Sequence, residues 1–302
     1  MKLRRTYLVL ALLFCAVMPG CDTDRLAQFG TFAAAGSAYV TAFHSFTQQA
    51  GVAFIGADSA TLITARQMAG ASGVSANAAA FRQKVSTADT QMKTYLDNLQ
   101  KLDRHADLLG SYFSAITALT DGKGSSSTVT AVKGLVDSIN QFNPEIEKLS
   151  FGGKNVKDFL APVTELVVAH FAVKALDEEL KKSAPAIQRA LALQQAAVSA
   201  LGEQLKASLG ASLEVQESKD VIGPYVANAP LPDAWPAARL AYLQASLDLQ
   251  TADSAKAAIG KLQSAFTDLT TNTHAQIDFR SLIDAIGKMA GYASAAKSAT
   301  QS

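Results

Sequence analysis

Between Phe81 and Ile116 apolar side chains recur at alternating steps of four and three: Phe81, Val85, Ala88, Met92, Tyr95, Leu99, Leu102, Ala106, Leu109, Phe113 and Ile116. The positions between them are mostly Lys, Asp, Gln, Thr, Ser, Asn and Arg. A helix with this spacing must lay its seam against other helices, and at 1.5 Å per residue the stretch is a rod of roughly 50 Å.

Upstream, residues 26–57 contain no Asp, Glu, Lys or Arg. Leu26, Phe29, Ala33, Gly36, Val40, Phe43, Thr47, Ala50, Phe54 and Ala57 form one heptad-like series, and Phe32, Tyr39 and Phe46 a second stripe. A helix uncharged all round is a buried one. The alternative, insertion into lipid, is opposed by Gln28, Thr31, Thr41, His44, Ser45, Gln48 and Gln49, which are expensive in a spanning segment. Gly70, Ser72, Gly73 and Ser75 mark a turn between the two rods.

The Phe81 rod closes at Asp121-Gly122-Lys123-Gly124, where Gly122 can end a helix in the left-handed conformation. Residues 122–155 read as a helical excursion. Ser125–Ser127 form a connector, and a short helix carries Val129, Val132, Val136 and Ile139. That helix must stop before Pro144, with Asn143 capping one further turn to Leu149. Asn155 then caps a third rod running to about Val221. Its seam is Val156, Phe159, Val163, Leu166, Val167, His170 and Val173, resuming at Ile187, Leu191, Gln194, Val198, Leu201 and Leu205. Pro162 lies in its bent first part and Pro185 should kink it. A proline-rich loop spans 223–236, and a fourth rod follows with Asp233 as its cap, carrying Leu240, Leu247, Ile259, Leu262, Phe266 and Leu269. Thr270–Thr273 interrupt it before Ile277–Ala290, and Ser294–Ser302 read as a frayed tail. The expected fold is all-α: an elongated up-down bundle of four long helices with a short helical excursion between the second and third. The third and fourth rods, at roughly 60 residues each, exceed the first two and must overhang or bend.

The start of the chain is built differently. Lys2, Arg4 and Arg5 precede the apolar run Tyr7–Val17, which is too short to be a comfortable transmembrane helix. It ends Val17-Met18-Pro19-Gly20-Cys21. This order resembles the signal peptide and lipobox of bacterial lipoproteins, although Leu and a small residue are commoner where Met18 and Pro19 stand. The resemblance implies a signal peptide over 1–20, cleavage before Cys21, and lipid on its sulfur. It places the remainder, 21–302, as one helical-bundle domain of the cell envelope, facing the periplasm or exterior. Asp22 resembles the inner-membrane retention signal of enterobacterial lipoproteins, and the choice of membrane stays open. The alternative is an ordinary signal peptide cut elsewhere. Of the two cysteines, Cys15 would leave with the signal, so no intrachain disulfide is expected.

The chain has a net charge of +1 and 49% hydrophobic residues. That is enough apolar side chain for a substantial core, and there is no basic block of the kind a nucleic-acid binder carries. The four histidines, His44, His105, His170 and His274, stand in no His-Glu-x-x-His or Glu-x-x-His arrangement. No metal or cofactor is expected. His170 reads as a core histidine, while Asp103, Arg104, His105 and Asp107 read as exposed ion pairs beside the seam. Gly152-Gly153-Lys154 lacks the spacing of a phosphate loop and reads as a tight turn. Asp177–Lys182 places opposite charges three and four apart, which stabilises an exposed helix face. No nucleophile elbow or reactive cysteine is present, so an enzyme is not expected.

The leading expectation is a non-enzymatic interaction or structural module, anchored in the membrane through Cys21 and contacting an envelope protein. Trp235, the sole tryptophan, with Tyr225 and Leu231 in the 223–236 loop, is the candidate contact surface. The plain alternative for that loop is a hinge whose tryptophan packs over a bundle end. Two other functions are weighed: a membrane-perturbing protein that releases the 26–57 helix into lipid, and a bundle sensing a small ligand near His44 or His170.

Overall fold

The computed structural model describes residues 20–121, 126–161, 174–271 and 276–300. It is all-α apart from one short hairpin. The helices are α1 (Gly20–Ala76), α2 (Ala78–Thr120), α3 (Ser126–Glu147), α4 (Lys174–Gln216), α5 (Gly223–Val226), α6 (Trp235–Thr271) and α7 (Phe279–Thr300).

The uncharged stretch lies inside α1 and is the packing centre. Its neighbours are α2, α4, α6 and α7. Both stripes are buried: Phe29, Phe32, Tyr39, Val40, Phe43, Phe46 and Phe54 all belong to the core. Among the described residues no helix is long and apolar enough to cross a membrane. Of these, α2 and α6 run alongside α1 with reversed direction. Phe32 meets Phe266 of α6 at 5.6 Å and Phe113 of α2 at 5.5 Å, while Phe54, further along, stacks on Tyr95 at 5.0 Å. Close approach of α1 and α2 depends on Gly36, since a Cβ there would stand 2.5 Å from the Phe113 ring. At the start of α1, Arg25 donates to the Leu269 carbonyl in the last turn of α6. A cation there satisfies an orphan acceptor and opposes the helix dipole.

The seam of α2 is buried from Leu99 through Ile116, but Val85 is exposed and Phe81 only half-buried. The first half of α2 and the last third of α1 therefore project as a helical hairpin. Gly70, at φ 65°, bends α1 near its tip, a conformation that costs glycine nothing.

Several boundaries differ from the expected ones. The first helix is the longest at 57 residues, against 43 for α4 and 37 for α6. Ser126 and Ser127 belong to α3 rather than to a connector. That helix runs through Pro144 to Glu147, so Asn143 caps nothing and its side chain turns into the core. Asn155 does not cap a third rod either. Ser150–Phe151 (β1) pairs with Lys154–Asn155 (β2) across Gly152 and Gly153, at φ 59° and 80°. Two positive φ values make the mirror-image turn that matches strand twist. A Cβ on Gly152 would also collide with Gln204 Oε1. A single 3₁₀ turn follows at Val156–Phe159.

Pro162, Val163, Leu166, Val167, His170 and Val173 lie outside the described residues, and so does Gly122. In α4, which contains Pro185, the seam from Ile187 to Leu205 is buried as expected. The expected break after Leu269 exists, with α6 ending at Thr271 and α7 starting at Phe279. The latter continues to Thr300 instead of fraying at Ser294.

Candidate functional site

After α4 the chain makes one π-helical turn, Glu217–Ile222, then the single-turn α5, and enters α6 at Trp235. Single π turns concentrate at functional sites because they re-aim the chain without breaking it. The half-buried tryptophan is the anchor of this corner. Its indole Nε1 donates to the Val221 carbonyl at 2.9 Å, Tyr225 stacks on it at 5.6 Å and 24°, and the Arg239 guanidinium lies 5.8 Å from its ring centre. The Glu217 side chain beside the Tyr242 hydroxyl raises the pKa of that hydroxyl.

The structure thus brings together the three residues singled out from the sequence but gives them different roles. Tyr225 is 67% exposed and Leu231 44% exposed, whereas the Trp235 side chain is half-buried and pinned. Ile222, Val226, Leu240 and Leu243 are also exposed. A contiguous exposed apolar patch is a physical criterion for an interaction surface, whereas scattered single side chains need no explanation. Leu240 escaped sequence reasoning because it reads as an apolar seam position of the fourth rod, and Ile222, Val226 and Leu243 were not singled out at all.

Of the polar residues of α2 read as exposed ion pairs, His105 was misjudged. His105 is fully buried rather than part of an exposed ion pair. Its Nδ1 lies 2.8 Å from Gln194 Oε1 and its Nε2 3.1 Å from Asn143 Oδ1, with Phe142 stacked beside the ring. Burial lowers its pKa, so the imidazole is neutral and has one N–H to give. The Tyr39 hydroxyl faces Gln194, and neither that hydroxyl nor Gln194 Nε2 has a partner at hydrogen-bond distance. Rotating the Gln194 amide by half a turn gives Nε2 to His105 Nδ1 and Oε1 to Tyr39.

Asn98 and Tyr112, each seven residues from His105, are buried on the same face. Asn98 Nδ2 donates to the Ser150 carbonyl at 2.9 Å, and the Tyr112 hydroxyl is 3.0 Å from Ser183 Oγ. The three residues form a polar ladder whose rungs tie α2 to the hairpin, α3 and α4. Buried polar pairs of this kind fix register. The seven-residue spacing of Asn98, His105 and Tyr112 was the signal for it.

On the opposite, outer face, His44 bridges two carboxylates: Nδ1 lies 3.0 Å from Asp103 Oδ1, and Nε2 2.9 Å from Asp107 Oδ1. Thr47 Oγ1 donates to the same Asp103 oxygen at 2.6 Å. Both ring nitrogens are therefore engaged by carboxylates of α2. Among the described residues no group of three or more His, Cys, Asp or Glu is placed to hold a metal ion; His170 and His274 lie outside them. The backbone of Cys21 stands in the first turn of α1. No family model, no curated protein and no solved structure matches this chain.

Proposed function

We propose that this protein is a lipid-anchored component of a bacterial cell envelope, tethered through Cys21, that acts non-enzymatically as an interaction module. Its scaffold is an up-and-down bundle of the long helices α1, α2, α4 and α6. The contact surface is the corner formed by Tyr225, Val226, Leu231 and the neighbouring exposed residues, with Trp235 as its support. One observation carries the reading: Tyr225, Val226 and Leu231 leave 67%, 72% and 44% of their surface open around an indole held by its own hydrogen bond. A rigid apolar surface loses little conformational entropy on binding. A tether adds effective concentration near partners in the same membrane.

The test separates contact from support. Tyr225→Ala with Val226→Ala removes mostly exposed surface and one ring stack, so thermal stability falls less than in Trp235→Ala while in-cell cross-linking to the partner falls. Trp235→Ala lowers stability because it frees the Val221 carbonyl and the Tyr225 ring. Undiminished cross-linking in the Tyr225/Val226 variant would refute this surface.

A further inference from the structure

One face of the projecting hairpin carries a furrow that nothing in the described chain covers. On α1 it is edged at Gln48, Val52, Ile55, Ser59, Leu62 and Arg66. On α2 the opposing edge includes Arg82, Ser86, Asp89, Lys93, Leu96 and Gln100. Both edges step by four and three, the period that places residues along one face of a helix packed in a coiled-coil manner. The furrow runs roughly 33 Å from His44 towards the tip, as long as a helix of about 22 residues. It holds two concavities of about 690 and 540 Å³, the larger lined by Leu62, Ile63, Phe81 and Val85 and the smaller by Val52, Ile55, Leu96 and Leu99. Val52, Ile55, Ile63 and Val85 are 52%, 45%, 56% and 45% exposed. Further down α1 and α2 the same helix pair buries its apolar residues under helices of this chain.

The charges say which kind of helix fits. Around the larger concavity stand Arg66, Arg82, Lys84 and Lys93 against the single acid Asp89. The two acids nearer the body, Asp103 and Asp107, are already held by His44. The open furrow is therefore cationic above an apolar floor. A second copy would bring the same four cations and only Asp89 to match them, and like charges opposed across an interface are unfavourable. We propose that this furrow is a docking site for an acidic amphipathic helix of a partner protein, which completes a local three-helix bundle by laying its apolar face on Ile63, Val85, Ile55 and Val52. The site is separate from the Trp235 corner and stands whether or not that corner binds anything.

Two synthetic 22-residue helices serve as probes, with identical apolar residues at four-and-three spacing and flanking positions all Glu in one and all Lys in the other. Fluorescence anisotropy with the purified protein should show the Glu peptide bound at least about tenfold more tightly, with the gap narrowing as salt rises. Arg66→Glu, Arg82→Glu and Lys93→Glu together should reverse the preference. Ile63→Asp with Val85→Asp should abolish binding of the Glu peptide with the melting temperature held, since both side chains are exposed. Equal affinity for the two peptides, or a preference unmoved by charge reversal, would overturn the proposal. So would binding of anionic vesicles in place of the peptide, or a dimer in sedimentation that Ile63→Asp dissolves.

Discussion

Three single residues carry structural demands sharp enough to test. Gly36 faces the Phe113 ring, which a methyl group would approach to 2.5 Å. Phe113 is fully buried and braced by Phe32 and Tyr112, so it has nowhere to move. Gly36→Ala should therefore cost roughly 1–3 kcal/mol, the range for overpacked cores, despite the better helix propensity of alanine. Urea unfolding measures it, and a midpoint at or above that of the native chain would contradict the packing. Gly152→Ala joins a collision with Gln204 to a positive φ, and a loss of about 1–3 kcal/mol follows from strain of this kind.

His105 gives a pH dependence with a definite sign. Its folded-state pKa lies below the ordinary 6.5 because the ring is desolvated. Between that lowered value and 6.5 the unfolded chain binds the extra proton, so stability falls as pH falls below 6.5. The loss can reach about 1.4 kcal/mol per pH unit. Glu179 acts in the opposite sense. Burial raises its pKa, so its contribution to stability is present at low pH and lost as pH rises above 4.5. Thermal melts at pH 7.5 and 5.5 separate the two: His105→Gln should lose less on acidification than the native chain, and an equal loss would remove His105 as the cause.

At the scale of elements, the long seams were legible because their period is sustained. Leu99 through Ile116 and Ile187 through Leu205 are buried where the spacing put them, and so is the uncharged run in α1. Local punctuation misled at Pro144 and Asn155. Tertiary contacts hold Asn143 against His105 and keep the helix going, and two glycines preferred a hairpin to a helix start. Periodicity also marks which side chains share a face without saying whether anything covers that face. Phe81 and Val85 continue the α2 seam without a flaw, yet they project past the body. The hairpin beyond residue 57 of α1 and before residue 95 of α2 has few buried apolar neighbours, and low contact density means easy local opening. Native-state hydrogen exchange should therefore be markedly faster over 60–94 than over 99–116 of the same pair of helices. Uniform protection along α2 would show that the hairpin is covered in solution.

For the whole molecule, the proposed anchor and the exposed surfaces lie at opposite ends. The α1 helix already includes Cys21, and Phe29 is buried eight residues later, about 12 Å along the helix axis. Lipid on Cys21 would thus hold the body close to its membrane. Gly70 near the tip lies roughly 70 Å away, and Trp235 opens the α6 helix whose last turn meets Arg25. An anchored rod of this kind presents both surfaces well above the membrane plane. The candidate site was half legible from sequence: a lone tryptophan among four prolines, with Tyr225 and Leu231, marked the corner, but Ile222, Val226, Leu240 and Leu243 became visible as exposed members only in the structure.

The most direct test of the central claim places a photo-cross-linking amino acid at position 225 in living cells, with the exposed position 284 on α7 as the control. The account predicts one dominant adduct with an envelope protein from position 225, none from 284, and loss of the adduct in Cys21→Ala. Labelling no stronger at 225 than at 284, or an adduct indifferent to Cys21→Ala, would contradict it.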